Sequence, residues 1–158
     1  VLLRYNNLIK KEKENMNQKK LNNKGFSLVE LIVVIAIMAV LIGLLAPQFI
    51  KYVQRSRYST DIKNGQEIAT ITQTLIADRV VSGSSVGAKE FKEGDTVFNA
   101  AVANNLASEV PMSKVEPNKG FFVQYNASTG SVKVYAQSAD GGNEVYPKLG
   151  SNYAGYNK

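Results

Sequence analysis

The chain of 158 residues contains no histidine and no cysteine. These two absences exclude imidazole acid–base catalysis, cysteine nucleophiles, Cys/His zinc centres, haem attachment, disulfides and cysteine-anchored lipids. Other chemistry is missing by pattern. Ser84-Ser85 and the glycines beside them do not form a phosphate loop, because no strand, Gly-rich loop and Lys-Ser/Thr follow one another. No pair of carboxylates is spaced for glycosidase work. Asp140, Asn143 and Glu144 lack the spacing of a calcium loop and read as a solvated turn. No catalytic residue, metal site or cofactor is expected, and the chain does not read as an enzyme.

The net charge of +6 and pI of about 9.4 suggest a nucleic-acid binder at first sight. The position of the charges argues otherwise. Residues 1–25 hold seven basic side chains (Arg4, Lys10, Lys11, Lys13, Lys19, Lys20, Lys24) against Glu12 and Glu14. The other 133 residues are nearly balanced, with 12 basic and 11 acidic side chains. No aromatic residues alternate with the leader lysines and no basic helical face follows them, so nucleic acid is not an expected partner. Positive charge beside a long apolar run instead marks the cytoplasmic flank of a membrane segment. Met16 begins a ten-residue basic leader that is complete in itself and is the expected translation start.

Leu31 to Ala46 is sixteen residues without a polar side chain, and between Phe26 and Ala46 only Ser27 and Glu30 are polar. As a helix these 21 residues extend roughly 30 Å, the thickness of a bilayer core. A soluble core helix rarely needs to be apolar on every face over such a length. A cleaved secretory signal would be shorter, with small residues at the cut; here Leu44 and Ala46 precede Pro47. A plain uncleaved anchor fits these facts, but Glu30 fits it poorly. A carboxylate in such a segment costs about 2–3 kcal/mol at mid-bilayer and less near the edge. Either Glu30 is functional and has a partner, or it is shallow enough to reach the headgroups.

The stretch Lys24-Gly25-Phe26-Ser27-Leu28-Val29-Glu30, followed by the apolar run and Pro47-Gln48-Phe49, resembles the N-terminal processing and methylation signal of type IV pilins and pseudopilins. The resemblance covers roughly residues 17–60. It implies cleavage between Gly25 and Phe26 by the prepilin peptidase/methyltransferase, N-methylation of Phe26, and a role for Glu30 in assembly as counter-ion to the Phe26 amine of a neighbouring subunit. Ala39 stands where family members often carry glycine, with Gly43 four residues later. Lack of the cysteine-bracketed loop of many Gram-negative pilins resembles the Gram-positive branch. The implied function is a structural subunit of a type IV pilus-like filament. The precursor would be a single-pass protein of the cytoplasmic membrane, with its C-terminal domain outside. It would be in contact with lipid and an inner-membrane assembly platform, and would then join other pilins in an extracellular filament. A pseudopilin of a type II secretion or DNA-uptake system shares this N-terminus. A membrane-anchored binding domain is the remaining alternative.

The expected fold is α+β, with a long N-terminal helix packed on a small antiparallel sheet. Three segments follow: a leader over 1–25 that is removed, an apolar half-helix over 26–47, and an amphipathic half-helix with a globular domain over 48–158. One helix is predicted from Phe26 to about Asp78. It carries an inward stripe of Tyr58, Ile62, Gly65, Ile68, Ala69, Thr72, Leu75 and Ile76. Its outer face carries Lys51, Gln54, Arg55, Arg57, Asp61, Lys63 and Glu67. Gly65 is expected to weaken that helix by roughly 1 kcal/mol. Residues 82–87 read as a loop, Phe98–Leu106 as a short helix, Phe121–Tyr125 and Ser131–Tyr135 as a hairpin, and Glu144–Tyr146 as a third strand. Tyr146, Tyr153 and Tyr156 read as strand packing and an amphipathic tail.

Overall fold

A computed structural model describes residues 25–82 and 86–156. The leader up to Lys24, with Met16, and most of the serine-rich loop lie outside the described residues. The fold is α+β, as expected. Two compact units divide after Leu45.

In the first unit, helix α1 (Leu28–Ala77) begins. Every described residue up to Tyr52 is exposed. The helix contains an 18-residue window of mean hydropathy 3.1, long and apolar enough to cross a membrane. Its start is local. The Ser27 carbonyl accepts the first helical bond from Leu31 N–H (3.2 Å), which makes Ser27 the cap and leaves Phe26 outside the helix.

The second unit starts at Ala46. Pro47 lies inside α1, with no N–H to offer the carbonyl of Gly43. The buried positions beyond it are Asp61, Ile62, Gly65, Ile68, Ala69, Ile71, Thr72 and Leu75. Tyr58 and Ile76 of the expected stripe are only partly buried. The helix ends in a Schellman arrangement: Val80 N–H donates to the Leu75 carbonyl (2.9 Å) and Arg79 N–H to that of Ile76 (3.0 Å), with Arg79 at φ +57°.

The stripe packs on a four-stranded antiparallel meander of β1 (Val86–Glu90), β2 (Phe121–Asn126), β3 (Ser131–Ala136) and β4 (Glu144–Tyr146), ordered β1-β2-β3-β4. The β2–β3 hairpin pairs Phe121 with Ala136 through to Asn126 with Ser131. Asn126 Oδ1 accepts the N–H groups of Ser128 (3.0 Å) and Thr129 (3.2 Å), and Gly130 turns the chain at φ +70°. Phe121, Val123 and Tyr125 alternate into the core, as do Val132 and Val134 opposite.

Two expectations are corrected here. Strand β1 begins at Val86 and Gly87, which had read as loop; glycine and the serine run mask a strand recognisable only from its pairing with β2. The short helix, α2, is Thr96–Ala103 rather than Phe98–Leu106. Asp95 fixes its start, its carboxylate accepting from Val97 N–H (2.9 Å) and Phe98 N–H (3.3 Å). The chain leaves the helix at Asn104 and turns at Asn105, φ +56°. Val102 is consequently exposed, while Val97, Phe98 and Ala101 are buried.

Gly65 has a use the helix propensity scale does not register. A Cβ there would overlap Val145 Cγ2 and lie 3.2 Å from Val145 Cβ. The glycine lets α1 approach β4 closely.

Candidate processing and assembly site

Gly25 and Phe26 lie just before α1, and Glu30 lies in its first turn. Gly25 and Phe26 are both exposed, Phe26 at 87%. Among the described residues, a Cβ placed on Gly25 would meet nothing within 4 Å, so they do not call for glycine there. Glu30 folds back, and its carboxylate accepts the Ser27 N–H at 2.8 Å. Ser27 Oγ accepts the Val29 N–H at 3.4 Å. Ser27-Leu28-Val29-Glu30 is thus a capping box, in which a carboxylate three residues into the helix satisfies an otherwise orphan donor. The Ser-x-x-Glu spacing is plain in the sequence, but reading Glu30 only as a buried-charge problem passed over it. The carboxylate also sits where the positive end of the helix dipole favours an anion.

The second unit holds a polar centre that sequence reasoning misplaced. Asp61, expected on the outer face, is fully buried. Its carboxylate accepts Ser113 Oγ–H (2.5 Å), Lys114 N–H (2.6 Å) and the Tyr153 hydroxyl (3.0 Å). Ser113 Oγ in turn accepts from Val115 N–H and Glu116 N–H, and Gln137 Nε2 donates to the Tyr153 hydroxyl at 2.8 Å. A buried carboxylate without a cation is tolerable when several donors converge on it. Burial above all, and then the neighbouring Asp61 carboxylate, push the Tyr153 phenol well above its ordinary range. The network holds a helix, a loop and the C-terminal segment together, and its central side chains Asp61, Ser113 and Tyr153 are buried.

Asn143, expected in a solvated turn, is buried as well. Its amide donates to Ser138 Oγ and its carbonyl oxygen accepts from Asn152, both at 2.8 Å. Asp140 caps the short 3-10 turn Gly141–Asn143 through Gly142 N–H. Tyr146 lies in β4 and accepts from Gln73 (3.0 Å), Tyr153 is core, and Tyr156 stacks on Tyr58 with ring centroids 3.8 Å apart. The tyrosines therefore pack, as expected. Among the described residues no three acidic side chains cluster to hold a metal ion.

The family model of the prokaryotic N-terminal methylation motif matches residues 20–46. The type IV major fimbrial protein FimA of Dichelobacter nodosus is 28% identical over 133 residues, covering 83% of this chain and 73% of that protein. The prepilin peptidase-dependent protein A of Clostridium perfringens (strain 13 / Type A) is 35% identical over 74 residues, 46% of this chain and 53% of that protein. The match spans about half of that relative. No solved structure matches. With the motif on residues 20–46, a fimbrial relative aligned over most of the chain and a long helix on a small antiparallel sheet, this is a type IV pilin-like chain with a prepilin-type N-terminal signal.

Proposed function

We propose that the chain is a filament subunit whose precursor is held in the cytoplasmic membrane by α1, cleaved between Gly25 and Phe26, N-methylated at Phe26 and assembled through α1. The observation that carries this reading is the Gly25-Phe26 junction, set directly before a capped helix whose first 25 residues are all exposed. The exposed apolar side chains from Leu28 to Leu45 need a cover, first lipid and then the same helix of other subunits. Gly25 meets no neighbour among the described residues, which supports an external demand for glycine: a peptidase that must approach the backbone closely. The prepilin peptidase/methyltransferase and an assembly platform are the implied partners, and the subunit's own role is structural. A pseudopilin would use the same N-terminus, and abundance in sheared surface filaments separates the two.

Glu30 has two roles in this account. It caps its own helix in the single chain. In the filament its charge balances the Phe26 amine of a neighbour, since two stranded charges in an apolar core would each be costly. Glutamine serves in a capping box as well as glutamate does. Glu30→Gln therefore keeps the helix start and removes the charge alone. The mutant as sole subunit should keep wild-type levels in the membrane fraction while its sheared filament yield falls by two orders of magnitude or more. That size follows from the about 3–5 kcal/mol typical of breaking one member of a buried pair. Normal filament yield would show that the charge has no part in assembly.

A further inference from the structure

Eleven residues, Pro47 to Arg57, separate the apolar run from Tyr58, the first side chain of the amphipathic stripe. They contain three cations, Lys51, Arg55 and Arg57, and no carboxylate. All three cations are exposed. The first carboxylate beyond them, Asp61, is buried and already accepts from Ser113, Lys114 and Tyr153. The ion pair found among the described residues, Lys92–Glu90, lies elsewhere. Among the described residues, therefore, no carboxylate forms an ion pair with the cluster.

Its position on the helix is specific. At 1.5 Å per residue, Lys51, Arg55 and Arg57 lie about 8, 14 and 17 Å beyond Ala46 along the axis. The headgroup layer extends roughly 5–8 Å past the hydrocarbon on each side, and long basic side chains reach back several ångströms to it. At 100° per residue the three cations point in directions of about 0°, 40° and 240°, an arc of about 160°, while Phe49 and Tyr52 point at about 160° and 100°, into the rest of the circumference. On the same segment stand Phe49, 65% exposed, and Tyr52, 72% exposed. Aromatic side chains of this kind sit at the membrane interface. Topology signals put basic residues on the cytoplasmic side, so a basic cluster on the far side of the span is not explained by orientation.

We propose that Lys51, Arg55 and Arg57, with Phe49 and Tyr52 on the rest of the same helical segment, form a collar that binds anionic phospholipid headgroups at the outer face of the membrane. The proposal rests on the membrane-anchored reading of residues 26–46. Charge complementarity to the lipid phosphate, the exposed interfacial aromatics Phe49 and Tyr52, and continuity of the cluster with the apolar run favour a lipid surface. The collar would hold the subunit at a fixed depth before assembly.

The test uses the full chain reconstituted in phosphatidylcholine vesicles. Spin-labelled phosphatidylglycerol or phosphatidylcholine is added in trace amount, and the motionally restricted fraction of each label is measured by electron paramagnetic resonance. The wild type should prefer phosphatidylglycerol by about fivefold or more at low salt, the scale of one to two lysine or arginine contacts. The triple variant Lys51→Gln, Arg55→Gln, Arg57→Gln should lose at least half of that preference. Both proteins carry the same leader, so its own attraction for anionic lipid cancels. An unchanged preference in the triple variant overturns the collar and leaves the anchor standing, and the cations would then belong to a protein contact. Release of the wild type from the vesicles by alkaline carbonate would overturn the anchored reading and the collar with it.

Discussion

Tyr153 donates a 3.0 Å hydrogen bond to Asp61 across 92 residues of sequence, inside the core. The same carboxylate oxygen accepts the Ser113 hydroxyl, and the other oxygen accepts the Lys114 N–H. One buried aspartate on α1 thus ties down both the Pro111–Lys119 segment and the C-terminal tail, in a chain without disulfides to do so. Among the described residues no cation pairs with it, so its stability depends on all three donors being in place.

Asp61→Ala should remove more stability than the loss of a single hydrogen bond. It leaves the Ser113 hydroxyl, the Lys114 N–H and the Tyr153 hydroxyl short of an acceptor in a buried site. A loss of about 3 kcal/mol or more is expected, at about 1–3 kcal/mol for each buried group left unsatisfied. Urea unfolding of a chain beginning at Arg55 measures it. Among the described residues every one before Val53 is exposed, so that chain should be a soluble monomer in detergent-free buffer. Its persistent aggregation would contradict the boundary.

Much of this was legible in the sequence. The uniform apolar run, the hairpin around Asn126–Gly130 and the strand at Glu144–Tyr146 all rest on local patterns, and local patterns survive folding. Asp61 shows where such reading stops. Its spacing to Gly65, Ile68 and Thr72 (four, seven and eleven residues) places it on the buried stripe, yet its charge argued for the surface. Only its distant partners Ser113 and Tyr153 reverse that argument. Strand β1 was missed for a related reason: its pairing partner, β2, lies more than thirty residues away. At the N-terminus the resemblance located Gly25, Phe26 and Glu30. The geometry adds that Glu30 closes a capping box with Ser27.

Gly65→Ala separates local from tertiary effects. Alanine improves helix propensity by roughly 1 kcal/mol. The new methyl meets the stiff, branched Val145, and overpacking of this kind costs about 1–3 kcal/mol. Net destabilisation is expected, with the alanine becoming favourable in a Val145→Ala background. A double-mutant cycle on thermal unfolding reads the coupling directly.

The raised Tyr153 phenol sets an alkaline limit. The folded state favours the neutral phenol, so this tyrosine's contribution to stability is fully present below the unfolded value near pH 10. Above that it is lost as the pH climbs, by at most about 1.4 kcal/mol per pH unit. Tyr153→Phe should be less stable than wild type at pH 8, having lost the bond to Asp61, but its urea midpoint should fall less steeply between pH 10 and 11.5. Parallel slopes for the two proteins would contradict a buried, neutral Tyr153.

The account turns on where the mature chain begins. Mass spectrometry of the N-terminal peptide of protein sheared from the cell surface tests this most directly. The predicted result is a peptide starting at Phe26 with one methyl group on its amine and continuing through Ser27 and Glu30. Assembled protein whose N-terminus lies upstream of Phe26, at Met16 or earlier, would contradict the account.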